Sequence, residues 1–229
     1  MKKVIFRRFM LFIITMIVCY SCVQPPSNYY RFIELDGHFK YKGRYPVADN
    51  LADKVNCYHF LYDDKGRVTK IEYRKGGSLS EDSYFGTAIV TIEYSEGFEK
   101  WTFFNREGQA AQNSDKVYAV RLKLDNNARV VAMFNYDEAD KLTKDDNGVF
   151  QYQWQLDDRG FRVISLRYDD KGNRIFDNQG VLELRFKYDK DGNQIETRQY
   201  GVHVLETVYS ELLSRGFLTP AELGDYNTF

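Results

Sequence analysis

Asp-rich strings ending in Gly are the residues of this chain whose types and spacing could do chemistry. YDDKG stands at residues 62–66 and again at 168–172, with LDDRG at 156–160 and YDKDG at 188–192. Such strings can ligate calcium, can carry catalytic carboxylates, or can turn a chain around. A calcium loop of the EF-hand kind needs oxygen ligands at positions 1, 3, 5, 7, 9 and 12, with Gly at 6. With Gly192 at position 6, position 1 falls on Lys187 and position 12 on Arg198, neither of which ligates calcium. The copy at 168–172 fails in the same way, with Arg167 first. No metal site follows. Asp suits the first position of a type I turn and Gly the last, where φ is positive, so the strings read as chain reversals. LDNNA at 124–128 keeps the pattern with Asn, which tolerates left-handed geometry. YDEAD at 136–140 is the least regular copy, and the sequence predicts a distorted turn there.

Strand patterns surround these turns. Phe150, Tyr152, Trp154 and Leu156 alternate with Gln151, Gln153 and Gln155, the period of two of a half-buried strand. Leu182, Leu184, Phe186 and Tyr188 repeat it, as do Tyr118, Val120, Leu122 and Leu124. The tyrosine-type positions Tyr41, Tyr73, Phe104, Tyr136, Tyr168 and Tyr200 are separated by 32, 31, 32, 32 and 32 residues. A fixed period of this length is the mark of a repeat array. One hairpin is marginal in water, and stacked hairpins bury each other's faces. The abundance of Tyr (18) and Phe (17) against only 4 Pro suits strands. The expectation is an all-β chain of tandem antiparallel hairpins of about 32 residues. They would form an elongated twisted sheet, a solenoid or a partly closed barrel over residues 30–202. After Gly201, Val204, Val208, Leu212 and Leu213 fall near helical spacing, and residues 203–229 read as a C-terminal helical cap.

The first 21 residues place a basic stretch (Lys2, Lys3, Arg7, Arg8) before an apolar run from Phe9 to Cys19. Eleven residues of helix span only about 16 Å, short of the ~30 Å hydrocarbon core, so a secretory signal is the better reading. VCYSC resembles a bacterial lipoprotein signal, which implies lipid attachment at Cys22, a tether over residues 22–29 and a partner in the membrane. Cys19 and Tyr20 depart from that pattern, and plain secretion or an uncleaved anchor are the alternatives. Without the signal, 28 basic residues face 33 acidic ones, a balance that argues against nucleic acid. Cys57 is then the one thiol left and reads as a buried structural cysteine.

YDDKGRVTKIEY and YDDKGNRI resemble the Tyr-Asp repeats of Rhs-type and related bacterial cell-surface proteins. The resemblance covers residues 30–201 and implies antiparallel β repeats at the cell envelope. A toxin shell is not implied, because this chain has a 32-residue double unit and no toxin or protease segment.

No hydrolase elbow, zinc-protease helix, phosphate loop or Cys-x-x-Cys pair is present. His38, His59 and His203 are isolated, and Trp154 shares the apolar phase. No catalytic residue and no cofactor is assigned. The ordered surface pattern is on the polar strand face: Arg121, Gln153 and Arg185 at one repeat phase, Lys123, Gln155 and Lys187 two residues on. Stacked in register they would make a basic-polar stripe, a docking surface for an envelope protein or a glycan. The functional expectation is a non-enzymatic, lipid-anchored binding or scaffolding module of the outer membrane. A polysaccharide-processing enzyme and a toxin-neutralising, immunity-like protein are the alternatives.

Overall fold

The computed structural model describes residues 28–201. The signal segment, Cys22, His203 and the expected cap at 203–229 lie outside the described residues.

The described chain is nearly all antiparallel β. Its strands are β1 (Tyr29–Leu35), β2 (Tyr41–Val47), β3 (Cys57–Tyr62), β4 (Val68–Lys75), β5 (Ser78–Leu79), β6 (Ile89–Ser95), β7 (Phe98–Phe104), β8 (Ala119–Leu124), β9 (Val130–Tyr136), β10 (Gln151–Leu156), β11 (Arg162–Tyr168), β12 (Glu183–Tyr188) and β13 (Gln194–Tyr200), with one short helix, α1 (Asp49–Ala52). All thirteen join one open sheet in the order β13-β12-β11-β10-β9-β8-β7-β6-β4-β3-β1-β2, with β5 beside β4. From β6 to β13 every strand pairs with its chain neighbour. Strands β8, β10 and β12 begin at 119, 151 and 183, so hairpins recur at the period of the tyrosines.

Most of the reversals are built on one five-residue pattern, whereas β4–β5 and β6–β7 close over two residues, Gly76–Gly77 and Glu96–Gly97. In the turns beginning at Asp36, Asp63, Asn113, Asp125, Asp137, Asp145, Asp157, Asp169, Asp177 and Asp189, side-chain Oδ1 accepts the N–H groups two and four residues on. The backbone closes the same turns by two further bonds, from the N–H of the first residue to the fifth carbonyl and from the fourth N–H to the first carbonyl. Asn105 opens an eleventh copy. The fourth residue is left-handed throughout, as Gly at 66, 108, 148, 160, 172, 180 and 192, and as Phe39, Lys116, Ala128 and Asp140 elsewhere. The carboxylates are therefore occupied by backbone N–H groups, the local bonding that favours Asp in turns. The expectation of a distorted turn at 136–140 is wrong. Asp137 makes both side-chain bonds, and Asp140 takes the left-handed position at φ 57°.

From Asn105 on, each 32-residue step carries this turn three times. One copy joins the strands of a hairpin. A second follows the hairpin, as at 137–140 and 169–172, and a third precedes the next strand, as at 145–148 and 177–180. The third-type turns are stitched to one another: Ser114 N–H donates to Phe85 O at 2.7 Å, Asp146 N–H to Asp115 O at 2.8 Å and Asn178 N–H to Asn147 O at 2.8 Å. Beneath them Val117, Val149 and Val181 are buried.

The core lies on one face of the sheet and comprises Phe60, Ile71, Val90, Ile92, Trp101, Phe103, Val120, Leu122 and Trp154. Trp154 donates its Nε1–H to Ser165 Oγ at 3.0 Å, as befits a core indole. A second layer comes from the first hairpin. β1 pairs with β3 only at Tyr29 and Tyr30. Beyond that, Ile33, Leu35, Phe39 and Tyr41 pack against the core. Phe39, at the hairpin tip, is 7% exposed and meets Trp154 at 4.6 Å and Trp101 at 6.4 Å between ring centroids. Close passage of the hairpin's two strands requires Gly43, because a Cβ there would lie 2.2 Å from the Tyr30 ring.

Cys57 is buried between Val47 and Ala52, with Sγ 3.6 Å from Ala52 O, and burial pushes its thiol up. Among the described residues no helix is long and apolar enough to cross a membrane.

Candidate functional site

The core face carries several strand positions whose residue type contradicts its surroundings, among them Asn135 of β9, Arg167 of β11, which pairs with buried Asp177, and Glu99 of β7. In β7 the period of two places Glu99 in phase with Trp101 and Phe103, and all three are buried. Glu99 lies between Tyr94 of β6 and Leu122 of β8 in the ladder. Its partner comes from far away in sequence. Lys40, beside Phe39 at the hairpin tip, donates to Glu99 Oε1. Glu99 is buried, whereas Lys40 is 42% exposed, so desolvation of the carboxylate offsets part of the attraction and the pair contributes little net stability. Its presence on an apolar face therefore asks for a reason other than packing.

Beside this pair is a cleft of about 360 Å³. The hairpin tip forms one wall through Phe39, Lys40 and Tyr41. The sheet forms the floor through Val68, Ile92, Tyr94, Trp101 and Leu124, and the turns at Gly66 and Ala128 form the rim. Arg67 crosses the rim with its guanidinium 4.1 Å from the Tyr94 ring centroid. It is held there by Asp63, whose Oδ2 accepts from Arg67 Nε at 2.8 Å. The turn N–H of Arg67, above all, holds the Asp63 carboxyl below its usual range. Tyr94 donates to Val68 O at 2.8 Å, and burial raises its phenol to about 12. Burial also raises Tyr41, whose ring lies 4.7 Å from that of Trp101. Trp101 is 4% exposed, and its Nε1 has no hydrogen-bond acceptor among the described residues. The site thus combines aromatic walls, a carboxylate, an ammonium and a guanidinium, each charge already neutralised.

A second buried cation lies nearby. The Arg162 guanidinium is 4.2 Å from the Phe39 ring centroid and 5.4 Å from that of Trp154. It has no carboxylate partner among the described residues, and burial lowers its pKa. Phe39 is thereby pinned between two tryptophans and an arginine.

The residues expected to form the stripe do share one face, opposite the core. They do not sit side by side. Lys123 is level with Gln153 across Ala132, and Gln155 is level with Arg185 across Ile164. Each hairpin is thus displaced by two residues along the strands, and the stripe runs obliquely. Apolar side chains interrupt it: Ala132 and Phe134 on β9, Ile164 and Leu166 on β11. Both of its arginines are also partnered. Arg121 lies 4.0 Å from Asp140 and over the Tyr136 ring, and Arg185 Nε donates to Glu183 Oε1 at 2.6 Å. Near the sheet edge, Arg185 and Lys187 join Glu196, Arg198 and Tyr200 around a shallow depression of about 310 Å³.

Two carboxylates do have raised pKa values. Burial raises both Asp115 and Asp145, and the Asp145 charge raises Asp115 further. Asp145 is fully committed, accepting from Asn147 and Val149 through Oδ1 and from the Tyr152 hydroxyl at 2.5 Å through Oδ2. His38 stacks on Phe161, and His59 on Tyr29.

The sequence reading missed Glu99 and Lys40. The signal for Glu99 was its phase two residues before Trp101; nothing local marks Lys40, which meets Glu99 only through the fold. No protein-family model matches the chain, and no curated protein matches it.

Proposed function

We propose that this chain is a binding module of the bacterial envelope, anchored by lipid at Cys22, whose binding site is the cleft between the first hairpin's tip and the sheet. The observation that carries the reading is the Lys40–Glu99 pair. It places a buried carboxylate on an apolar face, held by a half-exposed ammonium, beside an open cleft with aromatic walls. Small-molecule sites are typically of this make-up, mostly apolar with a few placed polar groups. The anchor rests on the signal and the VCYSC junction.

The test is affinity capture from envelope extracts with the mature chain, its Glu99→Gln variant and a variant reversing Arg121, Arg185 and Lys187. Captured material lost with Glu99→Gln and kept with the triple reversal supports the cleft. The opposite pattern would move the site to the oblique stripe. Cys22→Ser should shift the protein from the membrane to the soluble fraction, and retention in the membrane would end the lipid anchor.

An enzymatic reading draws on the raised pKa values of Asp115 and Asp145. Against it, Asp145 has both oxygens engaged in a turn and a tyrosine bond. That arrangement serves the fold, and the binding reading is preferred.

A further inference from the structure

We infer, resting on the cleft as the binding site, that its ligand is a neutral saccharide of one or two rings. Charge bookkeeping at the site disfavours ligands of a single charge. Lys40 is paired with Glu99, and Arg67 with Asp63, so the site is neutral as it stands. An anion entering beside Lys40 meets the Glu99 carboxylate. A cation entering beside Glu99 meets Lys40 and Arg67. A hydroxyl both donates and accepts. Sugar hydroxyls can therefore donate to Glu99 and accept from Lys40 while the pair stays intact.

Shape and surface agree with that choice. About 360 Å³ lies at the small end of ligand sites, which run from roughly 300 to 1,000 Å³. Tyr41 and Tyr94 supply aromatic walls against which the C–H groups of a pyranose pack, with Val68, Ile92 and Leu124 completing an apolar lining. The turn at residues 125–128 leaves its left-handed position as Ala128, so the rim there is small and the entrance is not blocked by a long side chain.

The experiment is ligand-observed NMR on the detergent-solubilised full chain. Its probes are glucose, N-acetylglucosamine and a neutral disaccharide, with glucuronic acid and glucosamine as charged matches and indole as an apolar control. We expect saturation transfer to at least one neutral sugar and at least tenfold weaker binding of its charged counterparts. Glu99→Gln and Lys40→Gln should each weaken the neutral sugar about tenfold. The exposed Gln199→Ala on β13 should leave it unchanged. Lys40 is half exposed, so its variant remains informative should Glu99→Gln fail to fold. Equal or tighter binding of glucuronic acid or glucosamine would overturn the neutral class, as would indole binding with no sugar binding. If no sugar binds while envelope capture still depends on Glu99, the saccharide falls and the cleft stands. If capture is also insensitive to Glu99, both fall.

Discussion

Hairpins β6–β7 and β12–β13 are built on the same alternation and differ in what lies over them. In the first, Ile89, Val90, Ile92, Glu99, Trp101 and Phe103 are all buried. In the second no residue is buried, and Ile195 is 57% exposed. Both have partners in the ladder. The first hairpin also has Phe39 and Tyr41 laid across it, whereas β13 is an edge strand. Hydrogen bonding thus extends the sheet evenly, and burial is delivered unevenly by one docked tip. Stability and binding should both concentrate where that second layer sits.

The largest expected effect comes from emptying the covered half. Trp101→Ala should destabilise by about 3–5 kcal/mol, as for a buried aromatic, and Phe186→Ala on β12 by roughly a third as much. Urea unfolding of the two variants measures the gap, and equal losses would remove the distinction. Next is the cover itself. Phe39→Ala forfeits contacts with Trp101, Trp154 and Arg162 and should cost about 3 kcal/mol. Amide exchange in β7 should then rise toward that of β13; unchanged exchange would show that the tip does not protect the face.

A third prediction concerns acid. Burial pushes the Glu72 carboxyl up, but hydrogen bonds from Lys70 and Arg74, with His59 adding to them, outweigh it and hold the group at about 2. The folded value lies below the unfolded one. The stabilisation is therefore complete above about pH 4.5 and is lost as the pH falls toward 2. With allowance for screening it amounts to about 2 kcal/mol. Denaturation midpoints from pH 6 to 2 should fall less steeply in Glu72→Gln, and parallel curves would count against the assignment. The smallest effect sharpens the comparison at a single turn position. Ala128 and Phe39 are both left-handed, at φ 58° and 61°. Ala128→Gly should stabilise by about 1 kcal/mol, whereas Phe39→Gly should destabilise, because there the side chain anchors the tip. Thermal melts decide both, and matching signs would mean the tip's packing is weak.

Much of the local structure was legible. The alternation from Phe150 to Leu156 marked a strand and its inner face, and the Asp-rich strings marked reversals. Legibility failed where the same geometry wears other residues. Asn113 and Lys116 build the same turn as Asp63 and Gly66 with neither Asp nor Gly, and Asp140 showed that an irregular string need not make an irregular turn. The oblique stripe was missed because the offset between successive hairpins, which sets Lys123 and not Arg121 level with Gln153, is a property of pairing and is absent from periodicity. The cleft was missed for a simpler reason. Lys40 and Glu99 are 59 residues apart, and only the peeling of β1 away from β3 brings them together.

The cleft draws all its walls from residues 39 to 128, and the hairpins that follow contribute none. Recognition and length are consequently separate variables in this architecture. Whole units could be gained or lost beyond β11, whose hairpin carries the Trp154 and Arg162 that hold Phe39, without touching the residues that contact a ligand. The far units would then act as a spacer, setting how the recognition end is presented while leaving its selectivity alone.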